Sequence, residues 1–323
     1  MNRLLAVLLC AAALVGCRRH TRFYTDVSDV PVTVTLERFD RDLFALDSAA
    51  LYDKYGSFVD LYLWQVMGLR SYGKVPGFLK DSAVQALRDD IEAVYPDLSP
   101  AEAELTTAFR YWRHYFPERE LPRTLAHFSG YNQSVVAGDG VLSVSLDCYL
   151  GADYAAYQGG VEGIYSYMLP YMTPRQLPQD MALGFLMTEV PEPMPGANLL
   201  ENMVYYGKLM YLLKVMLPER EEPELLSYSE EQYRWAEDHE RQVWNHLAER
   251  NLLFSADRIT VSHYMQWAPF TTGLSQDSPG RLGWYLGLRI VENYMDNNQQ
   301  VSLLNLVEEY DVQKILRLSG YRP

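Results

Sequence analysis

The sequence predicts an α+β fold: one predominantly helical domain with a small, antiparallel-rich sheet near its N-terminal half. Two observations carry the prediction. Between about 122 and 150 the apolar residues recur at every second position, in "RTLAHFSG" and "GVLSVSLDCYL", which is the period of a half-buried strand. From about 173 onward they recur at helical spacing, behind residues that cap helix N-termini. With 48% hydrophobic residues, a chain of 323 residues can build one substantial core. No Ser/Gly linker, low-complexity tract or fixed-period repeat divides it.

The chain opens "MNRLLAVLLCAAALVGC": Arg3, then an apolar run from Leu4 to Val15 too short to span a bilayer, then Leu-Val-Gly-Cys. Leu14 to Cys17 resembles the bacterial lipobox, in which signal peptidase II cuts before a cysteine whose thiol takes up a diacylglyceryl group. Residues 1–16 are therefore expected to be a lipoprotein signal peptide, and 17–30 the acylated N-terminus and a polar tether, "RRHTRFYTDVSDV". Residues 31–323 then form the domain. Full acylation, palmitate included, would hold firmly where one acyl chain holds only marginally. Cys10 leaves with the signal and Cys17 is acylated, so Cys148 has no disulfide partner. The net charge of −14, with its basic residues scattered, argues against nucleic acid as a partner.

In chain order, "PVTVTLERF" (31 to 39) alternates like a strand, and helical patterns follow at about 47 to 68 and 81 to 94. Ser99-Pro100-Ala101-Glu102 reads as a capping box. The strands of 122 to 150 are joined through the turn-rich "YNQSVVAGDG". Three more starts read from Thr173-Pro174-Arg175-Gln176, Asn198-Leu199-Leu200-Glu201 and Ser229-Glu230-Glu231-Gln232. Ser278-Pro279 opens a further helix, and Gly320 caps the last one.

"NLLENMVYYGKLMYLL" (198 to 213) has the look of the helix that carries His-Glu-x-x-His in zinc peptidases, but it contains no histidine. A zinc helix needs imidazoles one turn apart on one face, and Tyr205, Tyr206 and Lys208 cannot replace them. Glu201, three residues after Asn198, is explained by the cap and the helix dipole. His239 and His246 lie two turns apart, about 10.5 Å, too far for one ion. There is no Gly-x-Ser-x-Gly elbow and no phosphate loop. Cys148 reads as a core residue and His127 as a hydrogen-bonded structural histidine. No catalytic set, cofactor or metal site is expected. Gly280, Gly283 and Gly287 fall in one expected helix, where they admit a neighbouring backbone or open space for a ligand. A candidate ligand or partner groove accordingly comprises Glu201, Tyr205, Tyr206 and Lys208 on one helix with Arg281, Trp284, Arg289 and Glu292 on the other.

Taken together, the chain resembles the gliding-motility lipoprotein GldB family of Bacteroidetes. The likeness rests on Cys17, "ERFDRDLF" (37 to 44), "HFSGYN" (127 to 132), "LDCYLG" (146 to 151) and "LLENMVYYGKLMYL" (199 to 212). It continues in "YSEEQYRWAEDHERQVW" (228 to 244), "APFTTGLSQDSPGRLGWYLGLRIVENYM" (268 to 295) and the closing "YRP". The resemblance implies a non-enzymatic component of a cell-envelope assembly for gliding and type IX secretion, with envelope proteins as partners and no known catalytic residues. More distantly, the architecture looks like a zincin-type helical peptidase without its ligands, a pseudoenzyme. Surface-exported lipoproteins of that group resemble one another in an acidic cluster after the cysteine. Arg18, Arg19 and His20 stand there instead, which implies an outer-membrane anchor facing the periplasm, with inner-membrane retention as the alternative. Two other functions stay open at this level: a lipoprotein that binds a small ligand or glycan, and a cryptic hydrolase. The latter requires His127 or His239 beside a serine or carboxylate in a cleft.

Overall fold

The computed structural model describes residues 20–69 and 71–323; the signal sequence and Cys17 lie outside them. Residues 31–36 alternate in burial as the sequence demands, with Val32, Val34 and Leu36 inward. They nevertheless have no strand beside them on one side. The Val34 and Leu36 amides donate to Thr106 Oγ1 (2.9 Å) and Glu102 Oε1 (2.8 Å), and Arg110 donates to the Val32 carbonyl (3.0 Å). A helix thus satisfies backbone groups that a neighbouring strand would otherwise take. Only Glu37–Arg38 (β1) joins the sheet.

Helices follow: α1 (Phe39–Ala45), α2 (Ser48–Tyr55), α3 (Phe58–Leu61) running into a π-helical turn (Tyr62–Val66), α4 (Val75–Leu79), α5 (Ser82–Val94) and α6 (Ser99–Tyr115). The capping box expected at Ser99 does not form. Leu98 is the N-cap, the Ser99 amide donates to Asp97, and the Glu102 carboxylate is held by Leu36. Next come β2 (Arg123–His127), β3 (Val135–Gly138) and β4 (Val141–Ser145). The sheet is mixed, in the order β1-β2-β4-β3, with parallel ladders β1–β2 and β2–β4 and one antiparallel hairpin, β3–β4. Parallel pairing therefore has the larger share, because the loop between the two expected strands contributes β3 and returns the chain beside β2 in the same direction. Asp139 and Gly140, both at positive φ (50° and 74°), make the two-residue hairpin turn that Asp-Gly favours.

The second half is helical: α7 (Ala155–Gln158), α8 (Leu177–Glu189), α9 (Leu199–Met216), α10 (Glu222–Leu226), α11 (Glu230–Glu249), α12 (Arg258–Met265), α13 (Leu282–Asn297), α14 (Leu303–Glu308) and α15 (Val312–Ser319). Asn198 and Ser229 form the expected capping boxes, and Gly320 (φ 61°) ends α15. Two expected starts move downstream: α8 begins after Gln176 rather than at Thr173, and α13 after Arg281 rather than at Ser278. The Ser278 hydroxyl is committed to the loop, accepting from Thr271 N and donating to Ser275 O, so Gly280 lies outside the helix.

α9 is buried all round, 14 of its 18 residues, and packs on α6, α8, α12 and most extensively α13. Gly207 and Gly287 bring the two backbones together: a Cβ on Gly207 would stand 2.2 Å from the Gly287 carbonyl oxygen. Arg220, its side chain fully buried, joins Glu104 of α6 (2.6 and 2.9 Å), Gln179 of α8 (3.2 Å) and Glu224 of α10 (3.0 Å). Residues 20–30, read from sequence as part of a tether, lie against the domain. Arg22 donates to the carbonyls of Met295 and Val301, and Tyr111 and Tyr115 donate to those of Thr25 and Phe23. Phe23 and Val27 supply the apolar contact that periodicity in so short a segment does not reveal.

Candidate ligand cleft around Arg281 and Trp267

The chain reaches α13 through a compact loop pinned at Gly280, whose Cα rests on the Ala268 backbone; a Cβ there would lie 2.1 Å from the Ala268 oxygen. The next residue, Arg281, takes a left-handed conformation (φ 54°) that non-glycine residues seldom adopt. That turn sets its guanidinium against two tryptophans, 4.6 Å from the ring centroids of Trp267 and Trp284. Tyr206 stacks on Trp284 at 4.1 Å, and the Trp284 indole N–H is fixed to the Met265 carbonyl at 3.0 Å. Two such cation–π contacts stabilise by roughly 1–4 kcal/mol together. Arg281 makes one hydrogen bond, from Nη2 to the Leu226 carbonyl at 3.3 Å, and no ion pair among the described residues.

Arg281 and Trp267 line a cavity of about 480 Å³ between β3, α8 and the residues after α10. Its polar wall is a chain of hydrogen bonds: Tyr149 OH and Gln176 Nε2 donate to Asp180 at 2.7 and 2.8 Å, and Gln176 reaches Ser227 at 3.4 Å. Burial pushes the Asp180 carboxyl above its usual range and pulls the Arg281 guanidinium below its own, while each group favours the charged form of the other. A second cavity, about 620 Å³, adjoins the first across Trp267 and Ser227 and carries Tyr167, Tyr171 and Trp235.

The eight groove residues expected from sequence separate into four places. Tyr206, Trp284 and Arg281 meet as described, with Tyr205 edge-on to Tyr206. Arg289 and Glu292 belong to a different cluster, where Lys214 bridges Glu222 (2.6 Å) and Glu292 (2.7 Å), and Arg289 pairs with the same two acids. Two cations and two carboxylates neutralise one another there. Glu201 closes the α9 cap, accepting from Asn198 N at 2.7 Å. Lys208 is buried and donates to the Glu309 carbonyl at the end of α14, where a cation suits the helix dipole. The helix glycines open no ligand space: the Cβ positions of Gly283 and Gly287 run into Met265 Sδ (2.4 Å) and the Met203 carbonyl. Asp180, Gln176, Ser227 and Trp267 escaped the sequence reading; the only local signal was the helical spacing of Gln176 and Asp180.

Desolvation lowers Lys208 to about 8 against a usual 10.5. The unfolded chain keeps that proton to higher pH than the folded one, so stability rises as pH climbs from 8 to 10.5. Lys208→Met should therefore be about 1–2 kcal/mol more stable than wild type at pH 7, with the gap closing by pH 10. Parallel urea titrations at the two pH values test it; the same pH response in both proteins would refute this account.

The residues with catalytic chemistry are committed to packing. His127 Nδ1 lies 2.6 Å from Ser143 Oγ, but both residues have zero exposure and the pair faces Phe58 and Tyr62 in the core, not a cleft. Burial pulls the imidazole down to about 3. Cys148 is buried with its thiol pushed well up. His239 bonds the Trp235 carbonyl and stacks on that ring at 4.2 Å. Fully buried Asp147 accepts from Ser129 N (3.0 Å), Tyr131 N (2.8 Å) and the Ser145 hydroxyl, which ties "LDCYLG" to "HFSGYN". Among the described residues no three His, Cys, Asp or Glu side chains converge as a metal site, and no helix is long and apolar enough to cross a membrane.

A family model described as gliding motility protein GldB matches residues 20–323. Comparisons with curated proteins and with solved structures returned no match. The matched span takes in both segments joined by Asp147, the α9–α13 pair and the Arg281 loop, and on that coverage the chain belongs to the GldB family of gliding motility proteins.

Proposed function

We propose that the protein is a lipid-anchored, non-enzymatic subunit of a cell-envelope assembly that serves gliding motility and type IX secretion. The observation that carries this is the family match over residues 20–323. The packing supports it: His127 and His239 each have a structural partner, and His127 and Cys148 are enclosed. Acylation at Cys17 would anchor the subunit to the outer membrane facing the periplasm. Five Cα–Cα steps lead from Cys17 to Arg22, which is bound to the end of α13, so the anchor can stand at most roughly 18 Å from that point. The face bearing Arg22, Met295 and Val301 would then lie toward the bilayer, leaving the Arg281 cleft to meet partners.

Affinity purification of the natively acylated protein from its own membranes, beside Cys17→Ala, tests the proposal. Stoichiometric envelope proteins retained by the acylated form and lost from the variant are expected, with no metal by elemental analysis. Recovery of the acylated protein alone, or with tightly bound zinc, would overturn it.

A further inference from the structure

We infer that the cleft between Arg281 and the open edge of β3 receives the C-terminal segment of an extended peptide, with its terminal carboxylate on the Arg281 guanidinium and its backbone added to the sheet. The enclosed arginines Arg38, Arg220 and Arg289 face acids (Asp40, Glu104, and Glu222 with Glu292), whereas the buried Lys208 is held by a backbone carbonyl. A charge taken from water without an acid partner is costly. Arg281 has no ion pair among the described residues; apart from Nη2 on the Leu226 carbonyl its donors have no hydrogen-bond partner there, and its side chain lines the cavity. The Trp267 and Trp284 ring centroids each lie 4.6 Å from Cζ, and a guanidinium stacked on aromatic rings can still grip a carboxylate along its edge with two parallel hydrogen bonds. Two of the five non-glycine residues at positive φ among the described residues, Ser227 (52°) and Arg281 (54°), line this same cavity. Strain of that kind persists where the surroundings hold a residue for a purpose.

The second half of the site is the strand. β3 is the last in the sheet order, and no strand pairs with its outer side among the described residues. Ser145 N donates to Ser134 O at 2.8 Å, so by the alternation of an antiparallel ladder Val136 and Gly138 serve β4. Val135 and Ala137 turn their N–H and C=O groups outward, and both line the cavity that ends at Arg281. Natural edges are usually blunted by charge or proline, yet the run Gln133 to Gly138 has neither. Leu183 and the 43% exposed Met187 flank it as an adaptable apolar wall. A sugar acid or a simple organic acid could satisfy Arg281 but not the outward amides. A peptide C-terminus satisfies both, by strand addition.

The test uses the natively acylated full-length protein in detergent micelles, with a pooled library of N-acetylated tetrapeptides as free acids and as C-terminal amides. Acetate and glucuronate serve as non-peptide carboxylates, and Trp267 and Trp284 fluorescence gives the readout. Free acids should bind at least tenfold more tightly than the amides, acetate or glucuronate. Arg281→Gln should abolish the acid–amide difference and Arg281→Lys restore part of it. Ala137→Pro removes one outward donor without touching the β4 ladder, and should weaken the peptides while leaving the melting temperature unchanged. If Arg281→Gln fails to fold, the acid–amide comparison on wild type and the proline variant still decide. No binding by any acid, equal binding of acids and amides, glucuronate or acetate matching the peptides, or indifference to Ala137→Pro would each overturn the assignment.

Discussion

Gly287→Ala should destabilise the protein by about 4 kcal/mol or more, or prevent its accumulation as a folded chain. On helix propensity alone the change favours the folded state by roughly 1 kcal/mol, so the sign of the effect isolates the packing. An added Cβ would fall on the Met203 carbonyl of α9 and 3.2 Å from Gly207 N, and these are backbone atoms with no rotamer to relieve them. Relief requires α9 and α13 to separate, and those two helices make the most extensive pairing among the described elements, with Leu286, Ile290 and Val291 of α13 buried. Gly207→Ala meets the same contact from the other side. Gly77, in α4, is the control: nothing lies within 4 Å of its Cβ position and its φ is not positive, so Gly77→Ala should be neutral or stabilising by about 0.4–1 kcal/mol. Urea unfolding of the three variants decides. A Gly287→Ala protein within about 1 kcal/mol of wild type would mean that the helices are not in backbone contact.

The parts of this fold that could be read from sequence are those whose causes are local. Asn198 with Glu201 and Ser229 with Gln232 cap their helices using atoms three residues away, and both boxes form. Ser99 and Glu102 have the same spacing, but the Glu102 carboxylate is taken by Leu36, 66 residues distant, and no local pattern records that competition. The alternation at 31 to 36 correctly marks which residues are buried while leaving open that a helix supplies the hydrogen-bond partners. For the sheet, period two identifies β2 and β4 but not their parallel pairing, which depends on where the intervening loop travels. The candidate site divides in the same way. Arg281, Trp284 and Tyr206 were legible as a group because they lie one turn apart on two helices joined by glycines. Arg289 and Glu292, two turns further along, face Lys214 and Glu222 instead. Trp267 and Asp180 come from loops and helices distant in sequence, so their meeting is a tertiary fact.

His127 should make the native state progressively less stable in mild acid. Its ring is fully buried, with Nδ1 on Ser143 and Nε2 without a partner among the described residues, beside the equally unpartnered Tyr62 hydroxyl. The unfolded chain takes up a proton near pH 6.5, whereas the native one refuses it until about 3. Each pH unit in that window therefore costs the folded state about 1.4 kcal/mol, and the whole window about 5 kcal/mol. Asp40, Asp147 and Asp180 oppose the trend. Burial raises all three, so the native state holds their protons while the unfolded chain has released them, and their contribution improves as pH falls toward 3.8. Wild-type behaviour alone would mix the two effects. His127→Gln keeps a hydrogen-bonding group facing Ser143 and removes the titration, so the stability difference between wild type and variant should shrink steadily from pH 6.5 to 4. The comparison also bears on the chemistry of the molecule. A histidine beside a serine in a cleft would titrate near neutrality and bind solvent, so urea midpoints whose difference stays constant across that range would reopen His127 and Ser143 as a reactive pair. A shrinking difference leaves them as a dry, neutral hydrogen bond that joins β2 to β4.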